Sequence, residues 1–498
     1  MQYKGNFQEI IDQKAQTRPE ICYNSNNKKP HNTNNRKGLD MTIISNNIEV
    51  DKENNRRISS FFKQFRVYEI LRRYGADKEK GFALCIVWNF IFSLVFTGRN
   101  LYRTIESDTY NGMEKNVVYR FLNNVKIHWE MVLWQISISV ISAITPLTSE
   151  SRKNAIVVDD TPYLRDRSKS VELLSRIYDH CKKTYHNGFR MLTLGWTDGV
   201  DFVPFAFQLM TSIDPEKRIC EAKEYDSRTI AGRRRKSAQI TMPARLLELL
   251  KMAKKANIPA DYVLFDSWFS TPSALINIRN IGYHVISMLK NGNIKYLYNG
   301  EEKTLKQIYR TLKKRPGKST YLSSTIVHVI DPNGNDNLKV LLIFVRNKNK
   351  KNDWKVLLST DIWLDEEEVI ELYGKRWSIE VFFKTCKSYL MMASEYQGRS
   401  YDMLVAHSTV VFLRYIMLSW FSRQDTDHRT INEGFYQLCN EIADVSLSDA
   451  LRYMFAVLQD ALAESLWLSD AQVSELLDIF LAKLPSTLRL RLVSHCES

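Results

Sequence analysis

The chain has 498 residues, too many for one ordinary domain and enough for two to four, and a 44% hydrophobic content ample for buried cores. A formal charge of +14 points to a polyanionic partner, and the seven scattered cysteines, with no paired spacing, exclude a disulfide framework and a cysteine zinc site. The most apolar run, Gly81 to Gly98, barely reaches the length of a bilayer span and is interrupted by Asn89, Ser93 and Thr97, so a buried core helix is expected there and nucleic acid, not a membrane, is the expected partner.

Met1 to Asn55 is rich in Asn and Lys without apolar periodicity, which predicts a disordered tail with no signal peptide. From Ile58 to Leu147 the pattern is helical, opened by Phe61, Phe62, Phe65, Tyr68, Ile70 and Leu71. Lys115 to Leu122 follows a turn at Asn111-Gly112. It suits either the second helix of a helix-turn-helix presenting Lys115, Asn116 and Arg120, or a plain bundle helix.

Asn154 to Asp160 is an apolar, β-branched run that ends in two carboxylates, Asp159 and Asp160. Phe189 to Trp196 and Asp201 to Met210 read as a hairpin turned by Asp198-Gly199. His180, Cys181 and His186 lie close together but lack a second cluster to complete a tetrahedral site. Arg233-Arg234-Arg235-Lys236 follows a glycine and predicts a mobile, DNA-contacting loop. A helix over Pro243 to Ala256 leads to the strand Tyr262 to Phe265, which ends on Asp266. Thr271 to Asn280 reads as helix and Tyr283 to Met288 as another strand. Neighbours on a strand point to opposite faces, so alternation alone leaves open which of Asp159 and Asp160 shares a face with Asp266.

Between Asp266 and Glu380 lie 113 residues, including strand-like Thr320 to Ile330 and Leu338 to Arg346 around the turn Asp331 to Gly334. Residues 290 to 355 carry 15 Lys and Arg against 5 Asp and Glu, so most of the net charge is concentrated here. Lys313-Lys314-Arg315 and Lys348 to Lys351 suit either phosphate neutralisation or a solvated face. Leu364 to Ile370 opens with an acidic turn, which predicts one helix from Asp365 onward. At about 100° per residue, Tyr373, Arg376 and Lys387 fall within about 40° of Glu380, one carboxylate flanked by cations and a phenol. Val381 and Phe382 are left to pack elsewhere. Arg376 and Glu380 alone would equally suit an ordinary surface ion pair. Ala406 to Phe421 is a strongly apolar helix. Residues 431 to 480 hold nine acidic residues against one basic, which disfavours DNA and suits either a dimer contact or an intramolecular cap.

The spacing Tyr373, two residues, Arg376, three residues, Glu380, six residues, Lys387 resembles the signature of a large bacterial family of DDE transposases, the fourth insertion-sequence family. That resemblance implies an α/β fold: a ribonuclease H-like core with a β-rich insertion, a helical N-terminal domain that binds the element's ends, and a helical C-terminal region. The strand and helix order above agrees with such a core. The implied divisions are a tail over 1–57, a DNA-binding domain over 58–150, the core over 151–290 and 353–422, the insertion over 291–352, and a C-terminal region over 423–498. The resemblance further implies two Mg2+ ions, with Mn2+ able to substitute, held by Asp266, Glu380 and one of Asp159 and Asp160. The family's Asp-Thr pattern favours Asp160, followed here by Thr161. Tyr373, Arg376, Lys384 and Lys387, with Arg233, Arg234 and Arg235, would contact DNA, and Trp268 would stack on a base drawn out at the transposon end. The expected partners are transposon-end and target double-stranded DNA and a second copy of the chain, in the bacterial cytoplasm at the nucleoid. The expected activity is cut-and-paste transposition, for which the resemblance suggests a hairpin intermediate on the transposon end; the alternative is a nuclease-only or inactive DNA-binding protein on the same fold.

Overall fold

The computed structural model describes residues 56–77, 80–97, 101–105, 113–149, 152–179, 182–316, 319–334, 336–346 and 353–423, with single positions 458, 472, 476, 479, 480 and 482. All belong to one unit, Ile48–Ser498. The expected disordered tail, the Asn111-Gly112 turn, His180 and Cys181, the Lys348 to Lys351 run and nearly all of the acidic segment 431–480 lie outside the described residues.

Among the described residues six helices come first: α1 (Arg56–Gln64), α2 (Val67–Arg73), α3 (Leu84–Ser93), α4 (Leu101–Ile105), α5 (Lys115–Leu122) and α6 (Trp129–Ile144). Phe61, Phe62 and Phe65 are buried, and Phe62 meets Phe92 of α3 edge-on with ring centroids 4.8 Å apart. The expected core helix is α3, continued by a short 3₁₀ turn over Leu94–Thr97. Its polar residues are satisfied locally, which is why they interrupt the apolar run without breaking it. Asn89 accepts from the Tyr68 hydroxyl at 2.8 Å, and Ser93 and Thr97 donate back to the carbonyls of Asn89 and Leu94.

The strands are β1 (Ala155–Leu164), β2 (Ser175–Asp179), β3 (Thr184–Thr197), β4 (Phe202–Met210), β5 (Tyr262–Phe265), β6 (His284–Leu289), β7 (Lys295–Tyr298), β8 (Glu301–Thr304), β9 (Ser323–Val329), β10 (Leu338–Arg346) and β11 (Trp354–Ser359). They form one mixed sheet. From β4 the order runs β3, β1, β5, β6, β11, β10, β9, β7, β8, with β2 alongside the first part of β3. Strands β1, β5 and β6 are parallel, and the pairs outside them are antiparallel. The predicted β3–β4 hairpin forms: Gly199 takes φ +96°, and the Asp198 carboxylate accepts from the backbone N–H groups of Val200 and Asp201 at 2.9 Å. The basic segment beyond β6 continues the sheet, because β11 returns antiparallel against β6. Short β2, β7 and β8, and helix α10 (Leu305–Thr311) with its Thr304–Gln307 capping box, carry no strong pattern in the sequence.

Helices α7 (Ile230–Ala238), α8 (Met242–Lys255) and α9 (Pro272–Ile281) begin on Thr229, Thr241 and Thr271, each accepting a backbone N–H of the first turn. The single helix expected from Asp365 is corrected to two, α11 (Glu366–Gly374) and α12 (Trp377–Ser388). Between them the backbone tightens to three-residue spacing, with Lys375 N–H on Leu372, Arg376 N–H on Tyr373 and Ser378 N–H on Lys375. The break follows Gly374, a weak helix former, and the Lys375 ammonium is anchored off the helix on the carbonyls of Lys153 (2.7 Å) and Asp198 (3.3 Å). On α12, Ile379, Phe382, Phe383 and Cys386 are buried, whereas Val381 faces outward.

The last long element among the described residues, α13 (Tyr401–Arg423), is their spine: every residue from Tyr401 to Trp420 is buried. By length and composition both α13 and the segment Trp129–Leu147 could cross a membrane, but α13 is enclosed by this fold. It also carries charge that the interior satisfies. Arg414 donates to Glu395 and to the carbonyls of Ile91 and Phe92, tying α13 to α3, and His407 contacts the same Glu395.

Candidate active site

Strand β1 carries two adjacent carboxylates to opposite faces. Asp160 shares its face with Pro162, and Arg190, directly opposite Pro162 on β3, sets its guanidinium on the Asp160 carboxylate. Asp160 is thereby closed off, with its side chain 5% exposed. The expectation that Asp160 faces Asp266 and Glu380 is corrected: Asp159 does. Pairing of Val157 with Leu264 fixes the parallel register of β1 and β5; Asp159 follows two residues later on β1 and Asp266 just past the end of β5, near enough for its charge to act on Asp159.

Asp266 is held in a turn just past β5. Its Oδ1 accepts the Trp268 N–H at 2.9 Å, and its carbonyl accepts the Ser270 hydroxyl at 3.1 Å. Helix α12 covers this face. The Arg376 guanidinium hydrogen-bonds Glu380 and approaches Asp159 Oδ2 to 3.6 Å, and it stands 5.8 Å from the Tyr373 ring centroid. Lys387 Nζ donates to the Thr161 hydroxyl at 2.6 Å. Tyr373, Arg376, Glu380 and Lys387 therefore meet the ends of β1 and β5, although the helix break separates Tyr373 from the rest.

Burial pushes the Asp159 carboxyl up to about 7, and the charges of Asp266 and Asp160 push the same way; the Asp160 N–H and Arg376 oppose them. Burial likewise raises the Tyr373 phenol to about 12, countered by Arg376. A carboxyl whose folded pKa exceeds its unfolded value of 3.8 favours folding fully below that value, and this contribution is lost as pH rises to about 7. In metal-free protein, Asp159→Asn should therefore stabilise by roughly 2 kcal/mol at pH 8. The gain should vanish towards pH 4 when thermal melts of the two proteins are compared across pH.

Three carboxylates form a donor set of the hard-oxygen type that divalent cations prefer. Among the described residues no three acidic, His or Cys side chains converge closely enough to hold a metal ion. The Arg376 guanidinium bridges Asp159 and Glu380 where a cation would otherwise link them. The donors thus fit a divalent ion in chemical type, and Arg376 supplies the positive charge between them in this arrangement.

The mobile basic loop expected at Arg233 to Arg235 is corrected to a buried helix, α7. Arg234 clamps Glu130 with bonds of 2.6 and 2.7 Å and reaches Asp402 at 2.5 Å. Arg235 clamps Glu172 at 2.6 and 2.9 Å and reaches Asp402 at 2.6 Å. Only Arg233 of the three is exposed. Lys384 is exposed on α12, and Trp268 is 49% exposed beside Asp266. Sequence reasoning used Thr161 only to choose between Asp159 and Asp160 and gave neither Thr161 nor Trp377 a role. Thr161 was legible as the next same-face residue after Asp159, and Trp377, next to Arg376, keeps 62% of its surface exposed.

The large mixed sheet flanked by helices, with acidic residues at the ends of adjacent parallel strands and on a covering helix, is consistent with a DDE nuclease-like core. Residues 100–318 match the family described as DDE superfamily endonuclease, and residues 234–417 match the transposase DDE domain. The first match contains Asp159 and Asp266, the second Asp266 and Glu380, and together they support a DDE transposase, a nuclease-type enzyme whose family implies a DNA substrate. No curated protein matches the chain.

Proposed function

We propose that the chain is a cut-and-paste DNA transposase of the fourth insertion-sequence family, built on a ribonuclease H-like core, that cleaves DNA at the element's ends and joins the freed 3′-hydroxyls to target DNA. The observation that carries this is that Arg376 of α12 links Asp159 to Glu380 beside Tyr373, with the Asp266 charge acting on Asp159 and Lys387 reaching Thr161. The strand sequence β4, β3, β1, β5, β6, three antiparallel strands followed by two parallel ones, supports the ribonuclease H-like reading. Asp159, Asp266 and Glu380 would hold two Mg2+ ions, or Mn2+. Bound there, such ions supply an activated nucleophile at neutral pH and neutralise the leaving oxygen.

The chain's own residues do the rest. Lys387, Lys384 and Arg376 bind backbone phosphates, with Arg376 leaving the carboxylates for the DNA, and Tyr373 hydrogen-bonds the backbone near the cut. Trp268 stacks on a base drawn from the duplex end. The basic surface of the β7–β11 segment neutralises further phosphates, so affinity falls with salt. The protein acts as a dimer on two ends, in the cytoplasm at the nucleoid.

The test is to incubate the chain with a labelled duplex from the DNA flanking its own gene, with Mg2+, beside Glu380→Gln. Metal-dependent cutting and joining that disappear in the variant, with end binding retained, are expected. Cutting without joining would leave a nuclease, and binding without cutting by the unaltered protein would overturn the enzyme reading.

A further inference from the structure

Lys387 lies two turns past Glu380 on α12, on an exposed stretch of helix, yet its ammonium is tied to a buried group. The group is the hydroxyl of Thr161, a residue 6% exposed, which accepts from Nζ at 2.6 Å across 226 residues of sequence. Thr161 stands two residues beyond Asp159 on β1, so both side chains leave the same face of one strand. Ordering a long lysine side chain costs rotamer entropy, which the bond to Thr161 helps to offset.

We infer that Thr161 is a positioning residue: its hydroxyl holds the Lys387 ammonium beside Asp159, so that one strand sets both a carboxylate and the cation that meets the phosphate. This rests on the site reading proposed above. A hydroxyl suits the task for a chemical reason. It accepts one N–H while leaving the ammonium its full charge, whereas a carboxylate at this position would pair with Lys387 and compete with a phosphate for it. Valine, of similar shape, would fill the space and accept nothing.

Thr161→Val and Thr161→Ser in the full chain test the inference in two ways. Without DNA or metal, acetylation of the Lys387 amine by acetic anhydride, followed by mass spectrometry, should quicken about threefold in the valine variant and stay unchanged in the serine variant. Equal labelling of all three proteins overturns the inference whatever their activity. In single-turnover cutting of the labelled end, the valine variant should lose about tenfold to a hundredfold in rate with end affinity within about twofold, and serine should restore the rate. Adding Lys387→Met to the valine variant should cost little more, because the two act as one unit. Wild-type cutting by the valine variant, or losses that simply add, would also overturn it. Should valine prevent folding, Thr161→Ala carries the same comparisons. Should the unaltered protein not cut at all, the transposase reading fails while the labelling still decides the role of Thr161.

Discussion

Asp159→Asn should reduce metal-dependent cleavage of the element's ends by about a thousandfold or more, because in the proposed site it removes one of three carboxylates where charge must be balanced in the transition state. Asp160→Asn should retain cleavage within about tenfold, since its partner is Arg190 on the far face and an amide oxygen still accepts the Arg190 Nε–H. The pair is a sharp comparison. The residues are adjacent, carry the same group and sit on one strand, so a non-specific effect on β1 would strike both. Single-turnover rates with a labelled duplex, beside end affinities, separate the outcomes. Equal loss of rate in both variants would sink the assignment of Asp159 to the reacting face. Loss in Asp160→Asn alone would restore the choice that the Asp-Thr pattern favours.

Arg234→Ala should destabilise the protein by about 3–5 kcal/mol, the usual cost of removing one partner from a buried ionic cluster. Arg234 joins α7 to Glu130 at the start of α6 and to Asp402 at the start of α13, and it also bonds the Ile127 carbonyl. Burial alone would raise the pKa of Glu130, yet Arg234 and His128 hold it well below the usual carboxylate range. Without Arg234 that carboxylate is left charged in the interior, or takes a proton at a cost, and Asp402 keeps Arg235 alone. The exposed neighbour Arg233→Ala should change stability by less than about 0.5 kcal/mol. Urea denaturation of the three proteins checks this, and similar stabilities for Arg234→Ala and the unaltered chain would refute the structural role of the cluster.

Much of the arrangement is determined by local sequence. Ile156 to Val158 and Tyr262 to Phe265 are β-branched and aromatic runs that make buried strands ending on carboxylates, and Asp198-Gly199 makes a hairpin because glycine accepts the positive φ. Asp365 caps α11, and the interrupted apolar run at α3 makes a core helix because Asn89, Ser93 and Thr97 find partners close by. These follow from short-range sterics and hydrogen bonding, which neighbouring residues dictate. Tertiary structure decided the rest. Alternation gives Asp159 and Asp160 opposite faces, but which face reaches Asp266 and Glu380 depends on where α12 lands and on Arg190 from β3. The helix breaks at Lys375 because that side chain finds carbonyls at Lys153 and Asp198, far away in the chain. Arg234 and Arg235 read as part of a mobile, DNA-contacting loop because a letter code carries charge and not surroundings. Their burial depends on Glu130, Glu172 and Asp402, drawn from three distant segments, and an ion leaves water only when packing brings such partners to it.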